Sequence, residues 1–425
     1  MKPLGRLLFS SLTGVLCEKV VGTLAAIASN HLFANIYGAR LFGELQFALS
    51  LAAVVGSTAL LFSAQSVAPI FGKHPRLRHI VFYRAFRLRL FSTLGVMLIF
   101  CVGAWFLMAR AGAELAIVAS FLLIVEPIAL GSLMAYAEKS PWTITRAKTL
   151  ASGVRVLWLF LAAHLSAGAL FASIAWPIEA IVAAAGPFRR YRKLALNTPK
   201  SLLGDTVVTK TLVTRGLKFW PAVAAGILIL RIDRVLLGML MSKADLGIYA
   251  AAASLVEQWN SVGAALSLAL APSMVFIARN EAQLRQKALR LGVYLSALAA
   301  VAFVCSLFVG PAVFLLIYGP KFVAGAPVMI YAAGCSIVMF ADDGLNTWFI
   351  AARRYRLILI KQAMTLLAIA VSPFIMPRIW IMYAPFTANA VALLVFWCVI
   401  YGQNAYRTGK IGKTSSSNSL SGPNL

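Results

Sequence analysis

Acidic residues are scarce in this sequence, and charged residues of both signs together are uncommon. Asp and Glu account for 13 of the 425 residues, and all charged residues for 12%, against about 25% in soluble domains. Hydrophobic residues make up 61%, and the mean hydropathy is +0.85. So little charge cannot cover so much apolar surface in water. The composition excludes a water-soluble globule and predicts a membrane protein.

Motifs of enzymes and of metal sites are also missing. The five cysteines form no CxxC pair and lie in apolar stretches, where a cysteine is a small buried hydrophobe, and the four histidines are scattered. No HExxH, GxSxG or GxxxxGKS/T pattern occurs. We therefore expect no enzyme activity, no catalytic residue, no metal and no cofactor.

Long apolar stretches are what the sequence has in abundance. Segments of about 17 to 25 apolar residues are long enough to cross a bilayer as helices. The start is basic and then apolar like a signal peptide, but no A-x-A-like cleavage site follows, so we expect it to be the first span. The sequence predicts twelve spans, at 12–33, 44–69, 90–109, 113–137, 148–166, 169–188, 212–240, 246–276, 290–317, 324–350, 357–376 and 380–402.

Basic residues divide unevenly between the two sides that twelve spans create. Thirty of the 39 Lys and Arg fall in the N-terminus, alternate connections and the C-terminal tail, and five fall in the opposite connections. The other four, Lys19, Arg155, Arg231 and Arg234, fall inside spans. The positive-inside rule then predicts that both termini are cytoplasmic. The formal net charge of +26 reflects topology and attraction to anionic membrane lipids, and we expect no nucleic-acid partner.

The two halves of the sequence resemble each other. A shift of 204 residues matches Gly43 with Gly247 and Ser50 with Ser254, and it sets YAE (136–138) on FAD (340–342). Six spans in each half predict a parallel repeat about an axis along the membrane normal. The predicted domains are an N-terminal six-helix bundle (1–188), a basic cytoplasmic linker (189–211), a C-terminal six-helix bundle (212–403) and a polar, disordered tail (404–425).

Three features together resemble the polysaccharide flippases of the multidrug/oligosaccharidyl-lipid/polysaccharide flippase superfamily. They are the twelve spans in two bundles, YGARLFGELQFALS (37–50) before the second span, and RIDRVLLG followed by ADLGIYAAAASL (244–255). The resemblance implies an all-α membrane protein with two pseudo-symmetric six-helix bundles around a central cavity. It implies that the first, second, seventh and eighth spans line this cavity.

The same resemblance implies a function. Such proteins translocate undecaprenyl-pyrophosphate-linked oligosaccharides across the bacterial inner membrane for O-antigen, capsule or exopolysaccharide synthesis, including lipopolysaccharide. A polysaccharide polymerase and chain-length proteins are then candidate partners. Drug/cation antiporters and lipid II flippases share the fold, so the fold does not choose the cargo.

Charges in the seventh span fall near the middle of the membrane. Arg231 lies roughly 18 Å from the cytoplasmic start of the span, and a charge at this depth costs about 2.5–3.5 kcal/mol unless it faces a cavity or a partner. Arg231 and Arg234 share a helix face, whereas Asp233 points elsewhere. Two guanidinium groups on one face suit a pyrophosphate. A structural ion pair between helices is the alternative.

Other ionisable residues also fall inside spans. Glu126, Glu179 and Glu257 lie at a depth similar to that of Arg231, and Trp259 and Asn260 after Glu257 could stack on and hydrogen-bond to sugars, or simply pack. Nearer the cytoplasm lie Glu18, Lys19 and Arg155, which either meet an incoming lipid-linked anion or snorkel to the interface. Asp342 and Asp343 either hold a proton or Na⁺ or pair with the basic run Arg353, Arg354 and Arg356. The proposed ion-coupling residues are Glu18, Glu126, Asp233, Glu257, Asp342 and Asp343.

Two other functions are weaker alternatives. A membrane enzyme of polysaccharide assembly would need a soluble domain of about 100 residues or more, and no connection is that long. A drug/cation antiporter fits the fold, but the clustered arginines oppose a purely cationic cargo.

Overall fold

The computed structural model describes residues 2–59, 67, 78–138, 141–196 and 206–417, and these fold as an all-α protein. The side chains of residues 2–18 and 403–417 lie outside the described part. Within the described ranges every regular element is a helix, and none is a strand. The predicted fold class is confirmed.

The N-terminal half supplies the first six spans. Its helices are α1 (Lys2–Ala59), α2 (Arg78–Leu107), α3 (Arg110–Ile128), α4 (Leu130–Ala137), α5 (Pro141–His164), α6 (Ala169–Ser173) and α7 (Ala175–Leu196). Helix α1 contains two spans because Gly38, with φ 78° and ψ 175°, breaks it. This left-handed conformation costs a glycine little. The pairs α3/α4 and α6/α7 each correspond to one predicted span.

The C-terminal half supplies one helix for each remaining span. They are α8 (Thr206–Leu240), α9 (Lys243–Met274), α10 (Glu281–Tyr318), α11 (Gly325–Ala351), α12 (Tyr355–Ile375) and α13 (Ala384–Ser417). Ser242 caps α9 by accepting a hydrogen bond from the Asp245 backbone N–H (3.1 Å). Helix α13 continues to Ser417, so the structure has helix where the sequence predicts a disordered tail from 404. No proline lies between Pro385 and Pro423.

Eight helical segments of the described chain are long and apolar enough to cross a membrane. One of them, 19–59, contains both spans of α1. Helices α5, α8 and α9 are not among the eight, and these three carry Arg155, the Arg231–Arg234 cluster and Glu257. Three of the five buried charged side chains in the described chain, Arg155, Asp233 and Arg234, therefore lie in the less apolar helices, whereas Arg89 and Lys361 do not.

The two halves meet through a reciprocal backbone contact between α1 and α9. A Cβ atom added at Gly43 would overlap the carbonyl oxygen of Lys243, and one added at Gly247 would overlap that of Ala39. Each of these residues is 204 positions from its counterpart in the other half. The contact thus has the exchange pattern of a twofold axis, and it lies where the predicted repeat places equivalent residues.

Apolar packing also joins the two halves around this contact between α1 and α9. The largest apolar cluster combines buried side chains from both: Phe33, Phe42, Leu159, Tyr249, Phe314 and Tyr318. Two further clusters each have their centre in one half, one with Phe82 and the other with Trp397. Leu212 packs in the Phe82 cluster, so the start of α8 lies against the N-terminal half.

Candidate functional site

The arginines of α8 both face a single carboxylate on α9. Arg234 is completely buried, and its Nη2 donates to Oε1 of Glu257 (2.7 Å). Arg231 is held less tightly: its Nη1 lies 3.6 Å from Oε2 of Glu257, and 35% of its side chain is exposed. Two guanidinium groups thus share one carboxylate, and the excess positive charge of these three side chains is offset by Asp233, which lies between the two arginines in the sequence.

Arg234 also carries donors that the described residues do not satisfy. Its Nε and Nη1 atoms are buried and have no hydrogen-bond partner in the described part of the chain. Buried donors of this kind are rare, since each unmade hydrogen bond costs free energy. They mark a position where a further acceptor, such as an anion, would be stabilised.

Asp233 points to a different face of α8, as its position between the arginines predicts. The hydroxyl of Tyr249 on α9 donates to Oδ2 of Asp233 (2.5 Å), and both residues are buried. Tyr249 is a site residue that the sequence analysis did not identify, because nothing local marks it as the partner of a residue on the preceding helix.

A cavity of about 560 Å³ lies inside the C-terminal bundle, between α8, α9, α11, α12 and α13. It brings together six of the predicted site residues: Arg231, Asp233, Glu257, Asn260, Asp342 and Asp343. The resemblance implies a cavity between the two bundles, and the present cavity lies within one of them. The seventh and eighth spans do line the observed cavity, but its other walls are the tenth, eleventh and twelfth spans.

The Arg231 end of this cavity lies next to the other bundle. Gln258, which follows Glu257 and also lines the cavity, accepts a hydrogen bond from the hydroxyl of Thr23 on α1 (3.1 Å). This stretch of α9 therefore separates the cavity from the interface with α1.

Asp342 is held by a lysine and a tryptophan. The Nζ atom of Lys361 on α12 lies 2.7 Å from both carboxylate oxygens of Asp342, and Nε1 of Trp397 on α13 donates to Oδ1 (2.8 Å). The sequence predicts either a bound proton or Na⁺ here or pairing with the basic run Arg353, Arg354 and Arg356. That partner was wrong, because Arg354 turns away to Glu281 while Lys361 is buried within α12.

Two buried arginines inside the N-terminal bundle each pair with a carboxylate. Arg155 on α5 pairs with Glu179 on α7 and donates from Nε to the Ser29 hydroxyl (2.8 Å). Arg89 on α2 donates to the backbone oxygen of Glu126 (2.9 Å) and lies 3.7 Å from its carboxylate.

These pairs correct two expectations. Glu126 is not an isolated carboxylate, and Arg89 is buried in α2 and not in a connection, because this helix begins at Arg78, well before the predicted span.

The remaining predicted residues lie elsewhere. Trp259 stacks on Phe340, with ring centroids 5.1 Å apart, so its ring packs within the bundle. The Asn260 amide donates to Sδ of Met339 (3.1 Å) at the cavity wall. Lys19 is exposed, and the side chain of Glu18 lies outside the described part. Among the described residues, no group of three or more His, Cys, Asp or Glu could hold a metal ion.

Several solved structures have folds similar to that of this chain. It matches an inward-facing multidrug resistance MATE family transporter of the MOP superfamily with a TM-score of 0.66 and 13% identity, over 94% of this chain and 99% of that one. The chain has the fold of MOP superfamily transporters. The lipid II flippase MurJ, in an inward closed conformation, matches the fold of this chain with the same TM-score of 0.66 and 11% identity, over 91% of this chain and 86% of MurJ.

A third match is the MATE multidrug transporter DinF-BH in complex with R6G, with a TM-score of 0.55 and 15% identity over 93% of this chain and 95% of that one. No protein-family model and no curated protein sequence matches the chain. At these identities the MOP fold alone is established.

Proposed function

We propose that this protein is an alternating-access flippase that translocates an undecaprenyl-pyrophosphate-linked oligosaccharide across the bacterial inner membrane for surface polysaccharide synthesis. The observation that carries the proposal is the pair Arg231 and Arg234. They share one carboxylate, and Arg234 keeps two buried donors unpaired. Two guanidinium groups with free donors, next to the interface between the bundles, match the oxygens of a pyrophosphate better than a neutral cargo.

Transport through the membrane needs a source of energy, and the cavity in the C-terminal bundle offers groups that could couple to an ion gradient. Asp233, Glu257, Asp342 and Asp343 all line it. Ionisable side chains inside membrane spans commonly belong to ion or proton pathways. We propose that a proton or cation taken up here biases the bundles between their two orientations, as a ligand shifts a two-state equilibrium.

The topology completes the proposal. A multi-pass protein with both termini cytoplasmic presents its basic connections to the anionic lipids of the cytoplasmic leaflet, where the lipid-linked sugar is made. A polysaccharide polymerase and chain-length proteins on the other face are candidate partners for the product. The proposal assigns no chemical step to the protein.

The test is substitution of Arg231, because its half-exposed side chain can be changed without leaving a buried charge. We expect Arg231→Gln and Arg231→Lys to reach normal membrane levels. Each should lower translocation of the lipid-linked oligosaccharide in proteoliposomes about tenfold or more, since lysine keeps the charge but loses the fork of donors. Arg110→Gln, at a residue whose side chain is 87% exposed, is the control and should transport normally. Unchanged transport by Arg231→Gln/Arg234→Gln at normal membrane levels would contradict the anion site.

One observation favours a second function, export of an organic cation. The cavity is lined by four carboxylates but only two basic side chains, Arg231 and Lys361, so its net charge is acidic. Its volume of about 560 Å³ is within the range of small-molecule sites. Gradient-driven transport of a cationic dye by the wild type in proteoliposomes without lipid carrier, and none of lipid-linked sugar, would select this function.

A further inference from the structure

Lys361 and Asp342 form a buried contact with the geometry of a bound cation. One nitrogen lies at the same distance, 2.7 Å, from the two oxygens of one carboxylate. Both side chains are largely shielded, with 5% of Lys361 and 14% of Asp342 exposed. The Trp397 indole, which donates to Oδ1 (2.8 Å), fixes the orientation of the carboxylate. The ammonium group therefore occupies the bidentate position on Asp342.

Two further oxygen atoms belong to residues that line the same cavity. The Thr365 hydroxyl lies one turn after Lys361 on α12, and the amide oxygen of Asn346 lies one turn after Asp342 on α11. Both atoms are buried and line the cavity, with no hydrogen-bond partner among the described residues. Thr365 is only 3% exposed. Carboxylate, hydroxyl and amide oxygens are the ligands of hard cations such as Na⁺.

We infer that Lys361 is a tethered cation that keeps free Na⁺ and K⁺ from binding at Asp342. A buried carboxylate with hydroxyl and amide oxygens in the same cavity would attract a monovalent cation from solution. The covalently attached ammonium is always present at that position, so a free ion must displace it to bind. Lys361 is thus a residue that determines ion specificity.

The other charged groups of the cavity support this assignment. Asp343 on α11, Asp233 on α8 and Glu257 on α9 contribute negative charge, and Arg231 on α8 contributes the other positive charge. Glu257 is already bound by the arginines, and Asp233 by Tyr249. Asp343 remains as the carboxylate beside the Lys361 pair that could take up a proton. Only one consequence rests on the proposed function: a flippase whose Asp342 is closed to Na⁺ would couple transport to protons.

The experiment measures cation binding without transport. The purified full-length protein is melted in detergent with NaCl, KCl or choline chloride at equal ionic strength. The wild type should melt at the same temperature in all three salts. Lys361→Met should melt lower in choline, because it leaves Asp342 buried without a counter-ion. It should gain a saturable rise in Na⁺, on the order of 2 °C at Na⁺ well above its Kd.

Two variants make the result specific. Lys361→Met/Asp342→Asn removes both charges and should lose the response to Na⁺ while recovering stability relative to Lys361→Met. Lys361→Arg keeps a tethered cation and should remain unresponsive. If Lys361→Met does not accumulate, Lys361→Gln, which can still donate to Asp342, takes its place.

Two results would overturn the inference: a saturable Na⁺-specific shift in the wild type that Asp342→Asn abolishes, or a folded Lys361→Met that responds to no cation. Both results are measured without transport, so this inference can fail while the flippase proposal stands, and the reverse.

Discussion

Glu138 and Asp342 are equivalent residues of the two halves, 204 positions apart, and they have opposite surroundings. Tyr191 donates to Glu138 (2.6 Å), whose carboxylate lies 3.2 Å from Arg190, and 56% of the Arg190 side chain is exposed. Asp342 is held by a buried lysine and a tryptophan at the wall of a cavity. At this repeated position the N-terminal bundle has an exposed ion pair, whereas the C-terminal bundle has a residue that lines a cavity.

The same contrast holds for the other charges. Arg155 and Arg89 in the N-terminal bundle are buried with a carboxylate partner and a neutral oxygen acceptor each. The charges of the C-terminal bundle converge on one cavity that also contains unpaired oxygens. The difference suggests that charges in the first bundle hold helices together, whereas charges in the second bind ligands. Three predictions test this division.

The largest effect is expected for Arg155→Met, which leaves Glu179 unpaired inside the N-terminal bundle. Removing one partner of a buried pair destabilises a protein by about 3–5 kcal/mol, so the melting temperature and the membrane level should both fall. The variant Arg155→Met/Glu179→Leu leaves no unpaired charge at this position. It should recover the melting temperature and the membrane level, and it should transport normally. Normal membrane levels with transport lost in the double variant would show that this pair contacts the cargo, and the division would fail.

A smaller and purely functional effect is expected for Asp343→Asn in the C-terminal bundle. The amide has the same shape as the carboxylate but cannot take up a proton. The gradient-driven rate should fall about tenfold, which corresponds to roughly 1.4 kcal/mol, at a normal melting temperature. Glu114→Gln, at an exposed carboxylate of the N-terminal bundle, is the matched control. Full gradient dependence in Asp343→Asn would remove Asp343 from the coupling mechanism.

The smallest effect is expected for Arg190→Gln, the counterpart of the Lys361 substitutions. Exposed ion pairs contribute about 0–1 kcal/mol, so the melting temperature should barely change, and no cation should alter it. A cation-specific shift in Arg190→Gln would mean that ion binding follows the repeated position in both halves, and is not a property of the cavity.

The sequence was sufficient for those features that depend on local periodicity. Apolar stretches predicted the spans, and helical spacing predicted that Arg231 and Arg234 share a face that Asp233 does not. Side-chain partners were harder to predict, because they depend on how distant helices pack. Lys361 and Arg89 lie within a few turns of a helix end, where a basic residue ordinarily faces the cytoplasm. Only the packed structure shows that each is buried beside an acidic residue of another helix.

The cavity inside the C-terminal bundle could not be predicted for the same reason. Its walls come from five helices, and residues such as Thr365 carry no signal in their own segment. The resemblance predicted a cavity between the two bundles and made no prediction about a cavity inside one of them. It gave no reason to compare the interior of one bundle with that of the other.

The contact between Gly43 and Gly247 bears on the origin of the chain. Near a twofold axis a residue meets its own copy, and here a side chain at either glycine would collide with the backbone of the other half, at the carbonyl oxygen of Lys243 or of Ala39. This is the contact expected at the centre of a homodimer of six-helix subunits. The present protein retains it within one chain, which is what duplication and fusion of the gene for such a subunit would leave behind.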